Sequence, residues 1–177
     1  MARKIEVVEY RPEWEEKFRQ EAAKIREILG ENCIAVHHIG STSVKGLRAK
    51  PIIDLMPVVK ELEAVDLHNK EFEALGYECK GAYGILGRRF FMKGGDLRTH
   101  HVHVFGEDSR EEIERHLAVR DYLRTHKKDA EAYAALKREL AEKFTYDNDG
   151  YCDGKDSFVK ELERKALKWK RESVSMQ

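Results

Sequence analysis

The sequence predicts an α+β domain in which helices cover a mixed β-sheet and the C-terminal third is helical. Two observations support this class. Helix-like and strand-like segments follow one another as helix, strand pair, helix, strand pair, and the chain then turns helical from Ser109 onward. The 177 residues, 41% of them hydrophobic, suit one domain with a sizeable core. We therefore expect residues 1–177 to form a single domain.

Helices and strands alternate in the first two thirds of the chain. A helix is expected over 12–29, because apolar residues recur at every third or fourth position and Pro12 suits a first turn. A second helix is expected over 61–75. Short segments rich in β-branched residues predict strands, which we place at 33–39, 51–59, 88–92 and 99–105.

The C-terminal third is predicted to contain helices only. We place these helices at about 109–125, 128–144 and 155–170. A polar stretch over 146–155 is expected to separate the last helix from the one before it.

Composition and charge limit the classes of partner. Lys plus Arg and Asp plus Glu both total 33, so the formal net charge is zero, which argues against broad electrostatic capture of nucleic acid. Three widely spaced cysteines without a Cys-x-x-Cys pair argue against a disulfide framework and a structural zinc site. With no long apolar run and no secretory signal, we expect a cytoplasmic protein without a membrane partner. No feature indicates an oligomeric state.

The loop between the first two expected strands has the composition of a phosphate-binding turn. Gly40 would let a phosphate approach the backbone, and the hydroxyls and N–H groups of Ser41, Thr42 and Ser43 are suited to hold it. Asp54, on the following strand, would hold a divalent metal, for which we expect magnesium. The competing interpretation is an ordinary polar turn followed by a strand acid without a special role.

Two histidines are candidates to work with Asp54. His101 and His103 are two residues apart on an expected strand, so they face the same side of the sheet. If that strand lies beside the one that carries Asp54, the three side chains converge. Two imidazoles and a carboxylate make a plausible transition-metal site, and phosphate binding by the imidazoles is an equal alternative.

Four basic residues are candidates to neutralise phosphate charge. Their alternative role is that of solvated surface cations, which are common in a chain with 37% charged residues. The four are Lys50, Arg89, Arg120 and Lys155.

Several separated segments carry a resemblance to a known family. The segments are residues 37–46, 50–55, 99–104, 116–124 and 133–137, together with Tyr151, Lys155 and residues 158–159. Together they resemble the signature of the GrpB family. This nucleotidyltransferase-like group is also found fused to dephospho-CoA kinase in some bacteria.

The resemblance implies a nucleotidyltransferase fold and a small phosphorylated ligand. We expect a nucleoside triphosphate or related phosphoester to bind with the metal, and a nucleotidyl group to pass to an unidentified acceptor. Lys155 joins the metal-binding trio Asp54, His101 and His103 in the expected catalytic set. The expected phosphate-binding set is Gly40, Ser41, Thr42, Ser43, Lys50, Arg89 and Arg120.

One position departs from the pattern of active nucleotidyltransferases. These enzymes usually carry a second acid two residues after the first, and this chain has Met56 there. Two-metal phosphoryl transfer needs acidic ligands for both ions. Two alternatives therefore stay open, namely a non-catalytic nucleotide-binding domain and a metal-dependent phosphohydrolase that uses the histidines.

Overall fold

The structure is a computed structural model that describes residues 3–175. It contains five strands and five α-helices within those residues, in an α+β arrangement. The strands are β1 Cys33–Ile39, β2 Ile53–Val59, β3 Tyr77–Cys79, β4 Arg88–Lys93 and β5 His100–Gly106. The helices are α1 Glu13–Leu29, α2 Asn69–Ala74, α3 Arg110–Thr125, α4 Lys127–Lys143 and α5 Asn148–Ser175. Every helix in this range is too short or too polar to cross a membrane.

The five strands form one mixed sheet in the order β1-β2-β5-β4-β3. The β2–β5 pair is parallel, and the other three pairs are antiparallel. A parallel pair needs a crossover connection, which here consists of the segment from α2 to β4. The parallel register aligns Asp54 with His101. The mixed sheet confirms the predicted architecture.

The two faces of the sheet carry different kinds of residue. One face packs against α1 and α2 and forms the main core, which includes Trp14, Ile25, Leu55, Phe72 and Phe91. The other face carries Asp54, His101 and His103, together with a small apolar cluster that α3 covers. The C-terminal helices α3, α4 and α5 pack on one another and on the loop after β1.

Two predicted helices differ from the observed ones. Residues 61–75 do not form one helix, because Glu63–His68 is a 3₁₀ turn that leads into the short α2. The last helix begins at Asn148, so the predicted polar break over 146–155 is wrong for most of its length. Asp147 caps this helix by accepting a hydrogen bond from the Gly150 N–H at 3.0 Å.

Two glycines within the predicted break allow α5 to pack closely on α4. A side chain at Gly150 would lie 2.5 Å from the Phe144 ring, and one at Gly154 would lie 2.5 Å from the Leu140 side chain. Tyr151 between them is fully buried. Tertiary packing therefore outweighs the low helix propensity of glycine in this segment.

Met56 is fully buried on the same face of β2 as Asp54. It packs with Ile39 of β1 and Phe105 of β5 in the small apolar cluster. The position that usually carries a second acid is therefore part of the hydrophobic core in this chain.

We expect Met56→Asp to lower the free energy of unfolding by about 3–5 kcal/mol, because it buries an unpaired charge. The matched control Met56→Leu nearly conserves side-chain volume and should cost less than about 1.5 kcal/mol. Urea denaturation of both variants measures the difference. Equal stability of the two variants would contradict the buried position of Met56.

Candidate functional site

A glycine brings the turn after β1 against Asp54. Gly40 has φ 72° and ψ −176°, a region that is essentially restricted to glycine. A Cβ atom at this position would lie 2.6 Å from Asp54 Oδ2. The absence of a side chain therefore permits both the backbone conformation and the close approach to the carboxylate.

The hydroxyls of the turn are largely engaged within it. Ser43 Oγ donates to the Gly40 carbonyl oxygen, and Thr42 Oγ1 donates to the Ile52 carbonyl oxygen at 3.3 Å. Thr42 Oγ1 also lies 3.0 Å from His38 Nε2. Burial lowers the pKa of the His38 imidazole to about 4. Thr42 and Ser43 therefore use their hydroxyl protons to hold the shape of the turn. The Ser41 hydroxyl faces a cavity instead.

Asp54, His101 and His103 converge on the face of the sheet beside this turn. Asp54 Oδ1 lies 3.0 Å from His103 Nε2 and 3.5 Å from His101 Nδ1. One ligand atom from each residue falls within 4.8 Å of the others. The convergence follows from the parallel β2–β5 register together with the alternation of side chains along β5.

Hydrogen bonding determines the protonation of this trio. Arg98 Nη1 lies 2.9 Å from His101 Nε2, and since a guanidinium only donates, Nε2 accepts and the His101 proton lies on Nδ1, towards Asp54. Burial would raise the pKa of Asp54, but the hydrogen bonds from His101 and His103 hold it well below its usual range. The carboxylate is therefore ionised at neutral pH.

Apolar and neutral rings surround His103. The Phe90 ring centroid lies 5.1 Å from that of His103, and the His116 ring lies 6.0 Å away. Burial, together with the Arg115 charge, lowers the pKa of His116 to about 3, so this ring is neutral at pH 7. His103 Nδ1 is buried without a hydrogen-bond partner. Its proton therefore lies on Nε2, towards Asp54.

A cavity of about 280 Å³ adjoins the trio on the side of the Gly-Ser turn. Its walls come from the turn, the start of β2 and the helices α4 and α5. Three lysines and two tyrosines lie among the lining residues, which are Gly40, Ser41, Thr42, Ala49, Lys50, Ile52, Asp54, His101, Tyr133, Lys137, Tyr151 and Lys155.

The three lysines lack acidic partners. Within residues 3–175, no carboxylate forms an ion pair with Lys50, Lys137 or Lys155. Burial and the neighbouring Lys155 charge lower the pKa of Lys50 to about 8 and that of Lys137 to about 7. A cavity that gathers unpaired cations at this density has the electrostatics of an anion site.

Lys137 and Tyr151 are parts of this cavity to which the sequence interpretation gave no role. Lys137 Nζ donates to Ser41 Oγ at 2.8 Å and to the Arg48 carbonyl oxygen at 2.7 Å. A lysine four residues after Tyr133 and three before Leu140 lies on the buried side of a helix, and that spacing was a readable signal. The Tyr151 hydroxyl is buried and has no hydrogen-bond partner.

Two predicted phosphate ligands do not reach the cavity. Arg89 faces the opposite side of the sheet, where its guanidinium binds the Asp66 carboxylate at 2.8 and 3.2 Å. Arg120 lies on α3, where it donates to Asp121 at 2.9 Å and to the His38 carbonyl oxygen at 3.4 Å. Both arginines support the structure around the site, and the expectation that they line it is wrong.

A larger cavity of about 700 Å³ lies between residues 44–48 and α4. Its rim mixes acidic and basic side chains, and none of the Asp54, His101 and His103 trio contributes to it. We assign the candidate site to the smaller cavity, because the titratable groups with strongly shifted pKa values gather there.

Comparison with known proteins places these features in a family. The profile described as GrpB protein matches residues 4–165. The chain is 45% identical over 169 residues to UPF0157 protein YqkA of Bacillus subtilis, covering 96% of this chain and 49% of that protein. It therefore spans about half the length of that relative. Glutamate-rich protein GrpB of Alkalihalophilus pseudofirmus is 34% identical over 161 residues, covering 88% of this chain and 92% of that protein.

Solved structures show the same relationship in three dimensions. The crystal structure of conserved protein GrpB from Enterococcus faecalis matches with a TM-score of 0.90 and 50% identity, over 92% of this chain and 98% of that one. The Cid1 poly(U) polymerase with MgGTP bound matches with a TM-score of 0.54 and 16% identity, over 76% of this chain and 44% of that one. The fold is therefore nucleotidyltransferase-like, as the sequence resemblance implies.

We expect Gly40→Ala to destabilise the domain by more than the matched change Gly46→Ala. Both glycines have positive φ, so each variant pays a backbone cost of about 1–3 kcal/mol, but only the Cβ at position 40 meets Asp54. A double-mutant cycle in urea separates the two contributions. In an Asp54→Ala background, which removes the carboxylate, the cost of Gly40→Ala should fall towards that of Gly46→Ala, and an unchanged difference would contradict the contact.

Proposed function

This chain belongs to the GrpB family, and on that premise we propose that it binds a nucleoside triphosphate or related phosphoester together with a divalent metal. We further propose transfer of the nucleotidyl group to an acceptor. The main support is the junction between the trio of Asp54, His101 and His103, in which the carboxylate is ionised, and a cavity that faces three lysines without acidic partners.

The donor atoms of the trio suit a divalent transition metal. Two imidazole nitrogens favour ions such as Zn²⁺, and the carboxylate oxygen also suits Mn²⁺, whereas Mg²⁺ prefers oxygen ligands throughout. This chemistry supports a transition metal better than the magnesium expected from the sequence. An imidazole that binds a metal through one nitrogen carries its proton on the other. Ligation by His101 would therefore require Arg98 to release its hydrogen bond.

The lysine cavity suits the phosphates of the same ligand. Lys50, Lys137 and Lys155 would balance the charge of a triphosphate, and the Ser41 hydroxyl, already a hydrogen-bond acceptor from Lys137, can donate to a phosphate oxygen. When bound, the metal would supply Lewis-acid polarisation of the phosphoryl oxygens. The lysines would stabilise the charge that develops as a phosphate bond breaks.

The burial of Met56 favours a second candidate function. Because a hydrophobic side chain occupies the position of a second acid, the site has fewer ligands for a second metal ion. A domain that binds the nucleotide without turnover is consistent with that feature. Pyrophosphate release in the presence of acceptor candidates separates the two functions, since only the transferase produces it.

We expect Asp54→Asn to weaken binding of Mn²⁺ and of Mn²⁺–ATP by about tenfold or more, because it removes the charged ligand. The same change should strengthen binding of metal-free tripolyphosphate, because it removes a carboxylate that repels the anion. Isothermal titration of both ligands measures the two effects.

The control Asp66→Asn makes the same chemical change on the opposite face of the sheet, where Asp66 pairs with Arg89. It should leave both affinities unchanged. If Asp54→Asn changed the affinity for the Mn²⁺ ligands and the affinity for metal-free tripolyphosphate in the same direction, the role of Asp54 as a metal ligand would be contradicted.

We expect tripolyphosphate binding to take up protons near neutral pH. The pKa of Lys137 in the free protein is lowered to about 7, and a bound anion would raise it. The complex then holds more protons than the free protein, so affinity should fall as pH rises above about 7. Titration in buffers of different ionisation enthalpy measures the proton uptake directly.

The variant Lys137→Met provides the control, because titration of the anion itself is common to both proteins. It should take up fewer protons and show a shallower dependence of affinity on pH. Identical proton uptake in the two proteins would contradict a bound phosphate beside Lys137.

A further inference from the structure

A stacked pair of aromatic rings extends the site away from the lysine cavity. Tyr83, in the loop between β3 and β4, stacks on Phe90 of β4 with ring centroids 5.3 Å apart and planes within 9°. Phe90 in turn contacts both histidines, with centroids 5.3 Å from His101 and 5.1 Å from His103. Tyr83 is 57% exposed, and the Lys80 ammonium lies 5.9 Å from the centre of its ring. We refer to Tyr83 and Phe90 as the aromatic shelf.

Hydrogen bonds hold the backbone of Tyr83, although this residue of the shelf lies in a glycine-rich loop. Tyr83 has φ 48°, the one positive φ of a non-glycine residue within residues 3–175. Such a conformation persists only where the surroundings enforce it. The buried Arg88 does so by donating to the carbonyl oxygens of Tyr83 at 2.9 Å and Ala82 at 3.3 Å, while its guanidinium lies 4.7 Å from the centre of the Phe90 ring.

The order of the strands places the shelf and the Gly-Ser turn on different sides of Asp54. Across the sheet, Asp54 on β2 is followed by His103 on β5 and Phe90 on β4. The Gly-Ser turn that borders the cavity follows β1, on the other side of β2. In phosphoryl transfer the attacking and leaving oxygens lie roughly in line on opposite sides of phosphorus. If the phosphates of the donor nucleotide occupy the lysine cavity, the acceptor or the remainder of the donor extends towards the shelf.

We propose that the aromatic shelf is a binding platform for a nucleobase, which stacks on the exposed ring of Tyr83. This inference rests on the proposed function, because the shelf gains its role from phosphates held beside Asp54. The base belongs either to the nucleotide in the cavity or to the acceptor. An exposed, pre-organised aromatic ring next to an anion site suits such a ligand, since every base has a π-face and the ring loses little freedom on binding.

The test compares Tyr83→Leu, which removes the π-face but keeps apolar bulk, with Tyr83→Phe, which keeps the ring. Tyr146→Leu is the matched control, because Tyr146 is a similarly exposed tyrosine in the turn before α5. Titrations with Mn²⁺–ATP, adenosine and tripolyphosphate cover the base with and without phosphates. All variants should remain folded, which circular dichroism checks.

We expect Tyr83→Leu to weaken binding of a base-containing ligand about tenfold and to leave tripolyphosphate affinity unchanged. Tyr83→Phe and Tyr146→Leu should bind as the unmodified protein does. If the loss appears with ATP and adenosine competes with ATP, the base of the nucleotide occupies the shelf. If adenosine binds in the presence of saturating tripolyphosphate and only its affinity falls in Tyr83→Leu, the shelf serves the acceptor.

The inference and the proposed function fail in different ways. If the protein binds tripolyphosphate and Tyr83→Leu leaves the ATP and adenosine affinities unchanged, the proposal for the shelf is overturned. The proposed phosphate site is then still supported. If the unmodified protein bound neither tripolyphosphate nor ATP, the proposed function would fail. The inference would then fail with it, because the shelf would have no phosphate site beside it.

Discussion

The parallel pairing of β2 with β5 is the constraint on which the site depends. It places Asp54 beside His101, and the alternation of side chains then brings His103 to the same carboxylate. Because a parallel pair cannot be closed by a hairpin, the intervening chain must cross over and supply β4 at the far side of β5. That crossover also delivers Phe90 and the loop of Tyr83 to the edge of the trio. One register therefore organises the metal-binding candidates and the aromatic surface next to them.

The site retains groups that a purely structural interior would avoid. Lys137 is buried at 2% exposure without an acidic partner, and the Tyr151 hydroxyl is buried without a hydrogen bond. Burial of unpaired charge and of unsatisfied polar groups costs stability. Local departures of this kind concentrate at functional sites. The opposite face of the sheet shows the contrast, because buried Glu21 there is satisfied by the Tyr77 hydroxyl and the Lys93 ammonium, both at 2.8 Å.

Most of the fold and the centre of the site could be predicted from the sequence. The α+β class, β1 and the paired arrangement of His101 and His103 on one strand face followed from local periodicity alone. Errors occurred where distant packing outweighs local preference. The polar stretch over 146–155 indicated a break, yet most of it lies inside α5, where Gly150 and Gly154 pack against Phe144 and Leu140 of the preceding segment. Arg89 was assigned to the site because nothing local showed that the even-numbered residues of β4 face it.

By itself, the sequence determined the family, the nucleotidyltransferase-like fold and the residues at the centre of the candidate site. Short segments such as Gly40-Ser41 and the histidine strand encode these features, because backbone conformation and strand alternation depend on neighbours in the chain. Only the tertiary structure decided which cations share the cavity and that Met56 is in the core. Lys50, Lys137 and Lys155 come from a loop and two different helices. Burial, and then the neighbouring Lys155 charge, lowers the pKa values of Lys50 and Lys137, and both causes arise from contacts between segments that are distant in the chain.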